Sequence, residues 1–219
     1  MPGICVSAIK RVFMIHSKQN LFIRVLVVLG MRNFESYASL PDRISRGLKK
    51  FNKGVMRVKQ IEGVIQERLK KSENIKVLEV GAGQGVLLLE LADLFPSVEF
   101  VGVNKKKKHG AGSSRDLVRT VDELDLYYPK HWPKVVLADA RRLPFEDESF
   151  DLVLSQVTLG HILNKLKALE ELTRVLKVGG EAFVGLDSWH CKKYRPGGKM
   201  PLFYKKLYGL LGRECTPRL

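Results

Sequence analysis

The spacing of apolar residues along this chain changes near residue 75. Upstream, across residues 31–72, apolar side chains recur every three to four positions, as at Ile44, Leu48, Phe51 and Val55. This spacing is typical of amphipathic helices. Downstream, short apolar runs alternate with helical periods. The pattern therefore predicts a helical segment followed by a strand–helix alternation.

Five short runs rich in β-branched and apolar residues predict buried strands. They cover residues 75–80, 98–103, 134–139, 150–155 and 181–187. Segments with a helical spacing of apolar residues lie between them, at residues 86–95, 115–126 and 162–176. The last helix is predicted to place Leu163, Leu166, Leu169, Leu172 and Leu176 on one face and to end at Val178-Gly179-Gly180. Strands that alternate with helices favour an α/β fold, with a parallel sheet covered by helices on both faces.

A glycine cluster, GAGQG at residues 81–85, separates the first predicted strand from its helix. Such a turn lets a ligand approach the backbone, and the amino end of the helix presents N–H groups. A dinucleotide fingerprint would need a glycine at position 86, which is Val86. No Gly-Lys-Ser/Thr of a P-loop follows either. A dinucleotide-dependent oxidoreductase is therefore disfavoured.

The composition is that of an ordinary globular chain. The 219 residues are 45% hydrophobic and 28% charged, which argues against a fibrous or wholly disordered protein. Cys5, Cys191 and Cys215 are far apart, which excludes a disulfide scaffold and a Cys-rich zinc module. We predict no metal site. The longest apolar run, residues 21–29, contains Arg24 and is about half the ~20 residues of a membrane-spanning helix.

The net charge of +15 is unevenly distributed. Residues 77–190 carry fourteen basic and seventeen acidic side chains, whereas residues 191–219 carry eight basic and one acidic. We expect four segments: a basic extension without acids (1–34), a basic helical segment (35–74), a core (75–190) and a basic C-terminal helix or tail (191–219). Basic flanks can meet phosphates, an anionic lipid surface or an acidic partner, or can simply keep Lys-rich helices soluble.

Residues 1–34 carry five Lys/Arg and no acid. This composition is typical of a mitochondrial presequence, of a surface-seeking amphipathic segment, or of an extension ahead of a domain that starts near Met31. We expect a cytoplasmic protein, with a mitochondrial location as the alternative.

Four blocks occur in order between residues 75 and 187: VLEVGAGQG, VEFVGVN, LADARRLPFEDESFDLVLSQ and ELTRVLKVGGEAFV. In these blocks the chain resembles the class I S-adenosylmethionine-dependent methyltransferases, particularly the methyltransferase type 11 group. The resemblance implies a Rossmann-like three-layer sandwich with a mostly parallel sheet, here preceded by a basic helical segment. It also implies S-adenosyl-L-methionine as cofactor and a methyltransferase activity of the EC 2.1.1 class.

The resemblance also implies the residues that bind the cofactor. They are Glu79, Gly81, Ala82, Gly83, Gly85, Asn104, Asp139, Ala140, Ser155 and Gln156. Glu79 and the glycine backbone would hold the amino-acid part. Asp139 would accept the adenine amino group, with the Ala140 N–H on the ring, although Asp139 could instead cap a turn. Ser155 and Gln156 would line the methyl end.

Asn104 departs from the family pattern. It stands where the family usually has an acid that accepts both ribose hydroxyls. An amide oxygen accepts one hydroxyl, but charged bidentate acceptance is lost. We therefore expect weaker cofactor binding or an acid supplied from elsewhere.

The C-terminal part departs from the family as well. Family members usually finish with a helix and two more strands, whereas residues 202–212 predict one helix here. The edge of the sheet is then open, covered by a partner subunit, or completed by the strand-like residues 21–29. A homodimer is accordingly left open.

Methyl transfer from a sulfonium is an in-line displacement that depends mainly on positioning. A general base is needed only when the acceptor is protonated. His161, or the pair Asp187 and His190, is a candidate base, although a lone His in such a place more often packs or ends a helix. We assign no catalytic residue.

Some acceptors are disfavoured. The sequence SQVT after the fourth strand lacks the Asn/Asp-Pro-Pro-aromatic block of adenine amino-methylating enzymes, and no Cys lies between Cys5 and Cys191 to serve cytosine C5 methylation. A small molecule is the favoured acceptor, with RNA or an anionic surface as alternatives. The basic run 105–108 could follow a phosphate backbone, but no aromatic residues are interleaved with it. Tyr127, Tyr128 and Trp132 could cover a pocket or simply pack.

Two functions remain in competition. The first is a methyltransferase that uses S-adenosyl-L-methionine. The second is a catalytically degenerate scaffold of the same fold that binds nucleic acid or a protein assembly through its basic flanks.

Overall fold

The structure, a computed structural model, describes residues 12–16, 22–29, 46–51, 60–106, 110–156 and 158–186. The strands are β1 Val12–His16, β2 Phe22–Leu29, β3 Lys76–Val80, β4 Glu99–Asn104, β5 Lys134–Leu137, β6 Phe150–Gln156 and β7 Leu176–Leu186. The helices are α1 Arg46–Phe51, α2 Ile61–Leu69, α3 Val86–Leu94, α4 Ser114–Leu124 and α5 Lys165–Arg174. A 3₁₀ turn spans Thr158–His161.

The described strands form one sheet in the order β1-β2-β7-β6-β3-β4-β5. All neighbouring pairs are parallel except β1 and β2. Helical crossovers connect β3 to β4, β4 to β5 and β6 to β7, as parallel pairing requires. The α/β fold with a mostly parallel sheet that the sequence predicts is confirmed.

Strand β2 completes the sheet beyond β7. It pairs in parallel from Arg24↔Glu181 to Leu29↔Leu186, and β1 pairs with its other side. Of the three alternatives for this edge, the structure shows the strand-like run near residues 21–29. Residues 187–219, including the predicted helix at 202–212, lie outside the described residues.

Two apolar layers hold the helices on the sheet. Because alternate strand residues face opposite sides, Val77 packs with α1, α2 and α3, whereas Leu78 and Val80 pack with α5. Helix α3 is apolar nearly all round, and residues 86–89 are all buried. Helix α4 packs beside α3 through Leu117, which is fully buried. The described helices therefore cover both faces of the part of the sheet that β3, β4, β6 and β7 form.

The predicted helical segment at residues 31–72 is helical where the structure describes it, apart from Gln60 and the last three residues. Helix α1 is fixed to α3 by Glu90, whose carboxylate accepts the N–H groups of Gly47 (3.2 Å) and Leu48 (2.6 Å). Phe51 and Ile61 are fully buried in the layer beneath α1 and α2. This layer therefore forms part of the fold's core.

Helix α5 is shorter than the sequence predicts. The side chain of Asn164 caps it by accepting the N–H of Lys167 (3.2 Å), so Leu163 precedes the helix and is 97% exposed. The predicted stop at Gly179 is wrong as well, because β7 already begins at Leu176, which pairs with Phe150 of β6. Gly179, at φ +73°, lies within β7 next to an irregular register.

Candidate functional site at the carboxyl ends of the strands

The fold brings the predicted cofactor residues to one edge of the sheet. Residues 81–85 form the loop between β3 and α3, and Asn104 ends β4. Asp139 and Ala140 follow β5, while Ser155 and Gln156 end β6. Since β3 lies between β4 and β6, and β5 lies beyond β4, all these positions lie at one edge of the sheet. We call this edge the crevice, because ligands of open α/β sheets bind there.

Three glycines give the β3–α3 loop its shape. Gly81, Gly83 and Gly85 have φ values of +80°, +58° and +83°, a region that other residues adopt only with strain. A Cβ at Gly81 would come within 1.8 Å of Thr158, so the 3₁₀ turn closes one side of the loop. A Cβ at Gly83 would meet nothing within 4 Å. Gly83 therefore faces open space at the crevice.

Glu79 lies directly below this loop and is 5% exposed. It shares the α3 face of β3 with Val77, because the two residues are two apart in the strand. The pKa of Glu79 is raised to about 8, mainly by burial and also by the nearby Glu90 carboxylate. Within the part of the chain that the structure describes, its Oε2 has no hydrogen-bond partner. Glu79 is thus a protonated acid at neutral pH, with acceptor capacity to spare.

Asn104 is 3% exposed and turns its amide toward the glycine loop. Its Oδ1 accepts the Gly83 N–H at 2.9 Å. Its Nδ2 donates to the carbonyl oxygens of Gly83 at 2.9 Å and Ala111 at 2.7 Å. The amide therefore bonds to the backbone of two segments, the glycine loop at Gly83 and the segment after β4 at Ala111.

Asp139 is held by two cations. Arg141 donates to Asp139 through Nε (2.9 Å), Nη2 (2.7 Å) and its backbone N–H (3.0 Å), and the Lys105 Nζ lies 3.2 Å from Oδ2. The Arg141 guanidinium and backbone, then Lys105, hold the pKa of Asp139 well below its usual range. The turn-cap geometry foreseen as an alternative is thus present, and Asp139 stays ionised.

The remaining predicted residues line the other parts of the crevice. Ser155 is fully buried, and its hydroxyl donates to the Val80 carbonyl (3.0 Å), which joins the ends of β6 and β3. Ala140 is buried, whereas Gln156 is partly exposed. The roles assigned to these side chains toward a cofactor stay predictions.

Of the candidate bases, His161 is exposed at the end of the 3₁₀ turn that contacts the glycine loop. Asp187 and His190 lie outside the described residues. Tyr128 and Trp132 meet edge to face, with ring centroids 5.8 Å apart, in the connection that leads into β5. That connection leads to the amino end of β5, opposite the crevice, so these rings do not cover it.

Sequence reasoning missed Arg141 and Thr158, and it placed Lys105 in a basic run without foreseeing its contact with Asp139. Arg141 stands two residues after Asp139, a spacing at which a side chain can return to a turn-capping carboxylate. The contact of Thr158 with Gly81 gives no local signal, because it joins residues 77 positions apart. No helix among the described residues is long and apolar enough to cross a membrane.

Comparisons with known proteins agree with this geometry. Residues 78–184 match the sequence profile of a family described as a methyltransferase domain. Sterol 4-C-methyltransferase strm-1 of Caenorhabditis elegans is 30% identical over 153 residues, which cover 70% of this chain and 42% of the relative. Malonyl-[acyl-carrier protein] O-methyltransferase of Geobacter sulfurreducens is 33% identical over 153 residues, covering 69% and 47%. The chain thus spans less than half the length of these relatives.

Solved structures are similar over part of the chain. The YcgJ protein from Bacillus subtilis is 25% identical with a TM-score of 0.43, covering 56% of this chain and 48% of its own. A SAM-dependent methyltransferase from Aquifex aeolicus is 20% identical with a TM-score of 0.41, covering 58% and 62%. The profile match, the order of the motifs and the order of the strands agree with one another. Through residues 78–184, the chain belongs to the class I S-adenosylmethionine-dependent methyltransferase family.

Proposed function

We propose that this chain binds S-adenosyl-L-methionine at the carboxyl ends of β3, β4 and β5 and transfers its methyl group to a small-molecule acceptor. One observation carries the proposal. The glycine loop leaves open space at Gly83, and the strand that leads into this loop carries a buried Glu79 whose Oε2 has no hydrogen-bond partner among the described residues. Membership of the methyltransferase family supports the same cofactor.

The residues present suit the two ends of this cofactor. Its amino-acid end carries an ammonium group, and an unpaired, buried carboxyl oxygen is a partner for such a cation. Its adenine amino group needs an acceptor, which the ionised Asp139 supplies next to the buried Ala140. The chain therefore offers complementary groups at both ends of the crevice.

When bound, the cofactor supplies an electrophilic methyl group on a sulfonium. The protein's own contribution is to hold that group and the acceptor in line and to exclude water. The glycine loop and Thr158 form a rigid wall for this purpose, because Gly81 is in van der Waals contact with the turn. His161 lies on that same turn and is the described residue that we propose for accepting a proton from a protonated acceptor.

The acceptor class is supported by the names of the relatives and by one exposed side chain. The two relatives reported above are named a sterol methyltransferase and a malonyl-[acyl-carrier protein] methyltransferase. A third, from Roseiflexus castenholzii, is named a demethylmenaquinone methyltransferase. Leu163, which follows the 3₁₀ turn at the crevice edge, is 97% exposed. An apolar side chain at this place favours an acceptor with an apolar part.

Isothermal titration with S-adenosylhomocysteine, the product form of the cofactor, tests the proposal through a matched pair of variants. Gly83→Ala places a methyl group in the crevice, whereas Gly179→Ala places one in open space on β7 at a similar φ. We expect Gly83→Ala to weaken binding by about tenfold or more and Gly179→Ala to leave it nearly unchanged. Equal affinities for both variants would contradict the proposed site.

The rival scaffold function draws on the ion pairs of Asp139. Lys105 and Arg141 occupy this carboxylate, so an adenine amino group has to share it with two cations. A scaffold of this kind would show no affinity for S-adenosylhomocysteine and a salt-dependent affinity for RNA. The titration above, repeated with a short RNA at two salt concentrations, separates the two functions.

A further inference from the structure

The side chain of Asn104 uses its full amide for contacts inside the protein. Its oxygen accepts the Gly83 N–H, and its nitrogen donates to the Gly83 and Ala111 carbonyls at 2.9 and 2.7 Å. An amide nitrogen carries two hydrogens, so both are spent. Asn104 is also 3% exposed, so little of it reaches a ligand.

These bonds join two segments whose backbones are in close contact. The Ala111 N–H donates to the Gly83 carbonyl at 2.8 Å. A Cβ at Gly110 would lie 1.9 Å from the same Gly83 oxygen. Asn104 therefore sits at a junction where the glycine loop and residues 110–112 are fixed to each other.

We propose that Asn104 is a positioning residue, which locks the glycine loop to residues 110–112 and does not accept ribose hydroxyls. The amide is required because the junction needs one acceptor, for the Gly83 N–H, and two donors, for the Gly83 and Ala111 carbonyls. A carboxylate offers acceptors alone. The acid that the methyltransferase family usually has at this position would therefore face two carbonyl oxygens in this chain, with no hydrogen to donate to them.

The proposal has a consequence for ligand recognition, and this part rests on the proposed function. If Asn104 does not touch the ribose, removal of the ribose hydroxyls from a ligand costs the same affinity whether Asn104 is present or not. If Asn104 does accept a hydroxyl, the two changes are coupled, and the second costs little once the first is made.

The first test needs no ligand. Thermal unfolding and amide hydrogen exchange are measured for the full chain carrying Asn104→Asp, Asn104→Ala or the control Asn164→Asp. Asn164 caps α5 with its side-chain oxygen, a role that an aspartate fills equally well. We expect Asn104→Asp to lower the melting temperature by about 5 °C or more and to speed exchange at Gly83 and Ala111. The control should remain near the wild type.

The pH dependence of Asn104→Asp distinguishes a hydrogen-bonding role from simple packing. A protonated carboxyl has one donor and one acceptor, so it restores part of the junction. Opposed carbonyls and burial raise the pKa of the introduced group above its unfolded value, so its deficit grows as the pH rises. As the pH falls from about 8 to about 5, we expect the loss of stability relative to the wild type to shrink for Asn104→Asp. For Asn104→Ala, this loss should stay constant.

The second test compares S-adenosylhomocysteine with its 2′,3′-dideoxy analogue on the wild type and on Asn104→Ala. We expect the hydroxyls to be worth the same factor in affinity on both proteins, and we expect Asn104→Asp to bind more weakly than the wild type. Tighter binding by Asn104→Asp, with an unchanged melting temperature, would overturn the proposal. So would a hydroxyl effect that disappears in Asn104→Ala. If the wild type binds neither ligand, the proposed function fails, and the stability and exchange data still decide the role of Asn104.

Discussion

At the scale of single residues, Glu79 shows which properties the sequence reveals. Its place after a buried strand and before three glycines marks it as a candidate site residue. Its protonation is not visible there, because it depends on burial under α3 and on the Glu90 carboxylate eleven residues later. The pKa of about 8 is a product of the packed structure.

Glu79→Gln is therefore expected to change how stability depends on pH. The pKa of Glu79 is raised from 4.5 to about 8 on folding, so its stabilising protonation is complete below about pH 4.5 and is lost as the pH rises to about 8. Glutamine stays neutral throughout. The variant should gain free energy of unfolding over the wild type across this window, by up to a few kcal/mol at the upper end.

Urea unfolding of both proteins at several pH values measures this difference. Asp93→Asn, on the exposed side of α3, is a suitable control for loss of a carboxylate. Parallel stability curves for Glu79→Gln and the wild type would mean that Glu79 is already ionised at neutral pH. That result would contradict the assignment of Glu79 as a buried, protonated acid.

At the scale of elements, Arg174 fastens the β5–β6 connection to α5. It donates to the carbonyls of Leu143 and Phe145 and to the carboxylates of Asp147 and Glu171, at 2.7 to 3.0 Å. The helix period of this region is evident from the sequence. That Arg174 holds the connection which contains Asp139 is not evident from the sequence. Its partners in that connection lie 27 to 31 residues away.

Arg174→Lys should destabilise the protein although the charge is kept. A single ammonium cannot reproduce a planar fork that bonds to four groups, and the carbonyls left behind are partly buried. We expect a loss of about 1.5–3 kcal/mol in the free energy of unfolding, measured in urea.

Lys167→Met provides the matched control on the same helix. Lys167 pairs with Glu170 at 3.4 Å, and both side chains are more than half exposed, so its removal should cost about 0.5 kcal/mol or less. Equal costs for the two substitutions would show that Arg174 acts as an ordinary surface charge.

At the scale of the whole molecule, the sheet extends past the family-like core through β2 and β1. The composition of residues 21–29 favoured a strand, and the place of that strand was one of three alternatives. Its position beside β7 follows from pairing across more than 150 residues, which no local pattern encodes. The five core strands, by contrast, could be predicted, because each is a short apolar run bounded by a turn or a helix.

Proline substitutions test the extension. Val25 pairs with Phe13 on one side and with Ala182 on the other, so Val25→Pro removes a ladder bond whichever way its N–H points. We expect a loss of about 3 kcal/mol or more in the free energy of unfolding. Among the described strands, β1 has one neighbour, so one of the adjacent variants Phe13→Pro and Met14→Pro should cost clearly less. Equal costs for all three would contradict the observed order of strands.

The limits of prediction follow the same physical line in the site. Glycines, strand ends and the order of the blocks are local features, and they predicted that Glu79, Gly81 and Gly83 lie at the carboxyl end of β3. The roles of these residues toward a cofactor stay predictions. The Gly83 partner of Asn104 and the Lys105 partner of Asp139 are distant in the chain, so the sequence indicated neither contact, whereas Arg141 is only two residues from Asp139. The compartment, the oligomeric state and the boundaries of the flanking segments stay predictions.

A crystal structure of the full chain with S-adenosylhomocysteine tests the central claim most directly. The account predicts that the ligand lies against the open side of Gly83, with its amino-acid end toward Glu79 and its adenine toward Asp139. A saturated crystal in which this crevice holds no ligand, or in which the ligand binds elsewhere on the protein, would contradict it.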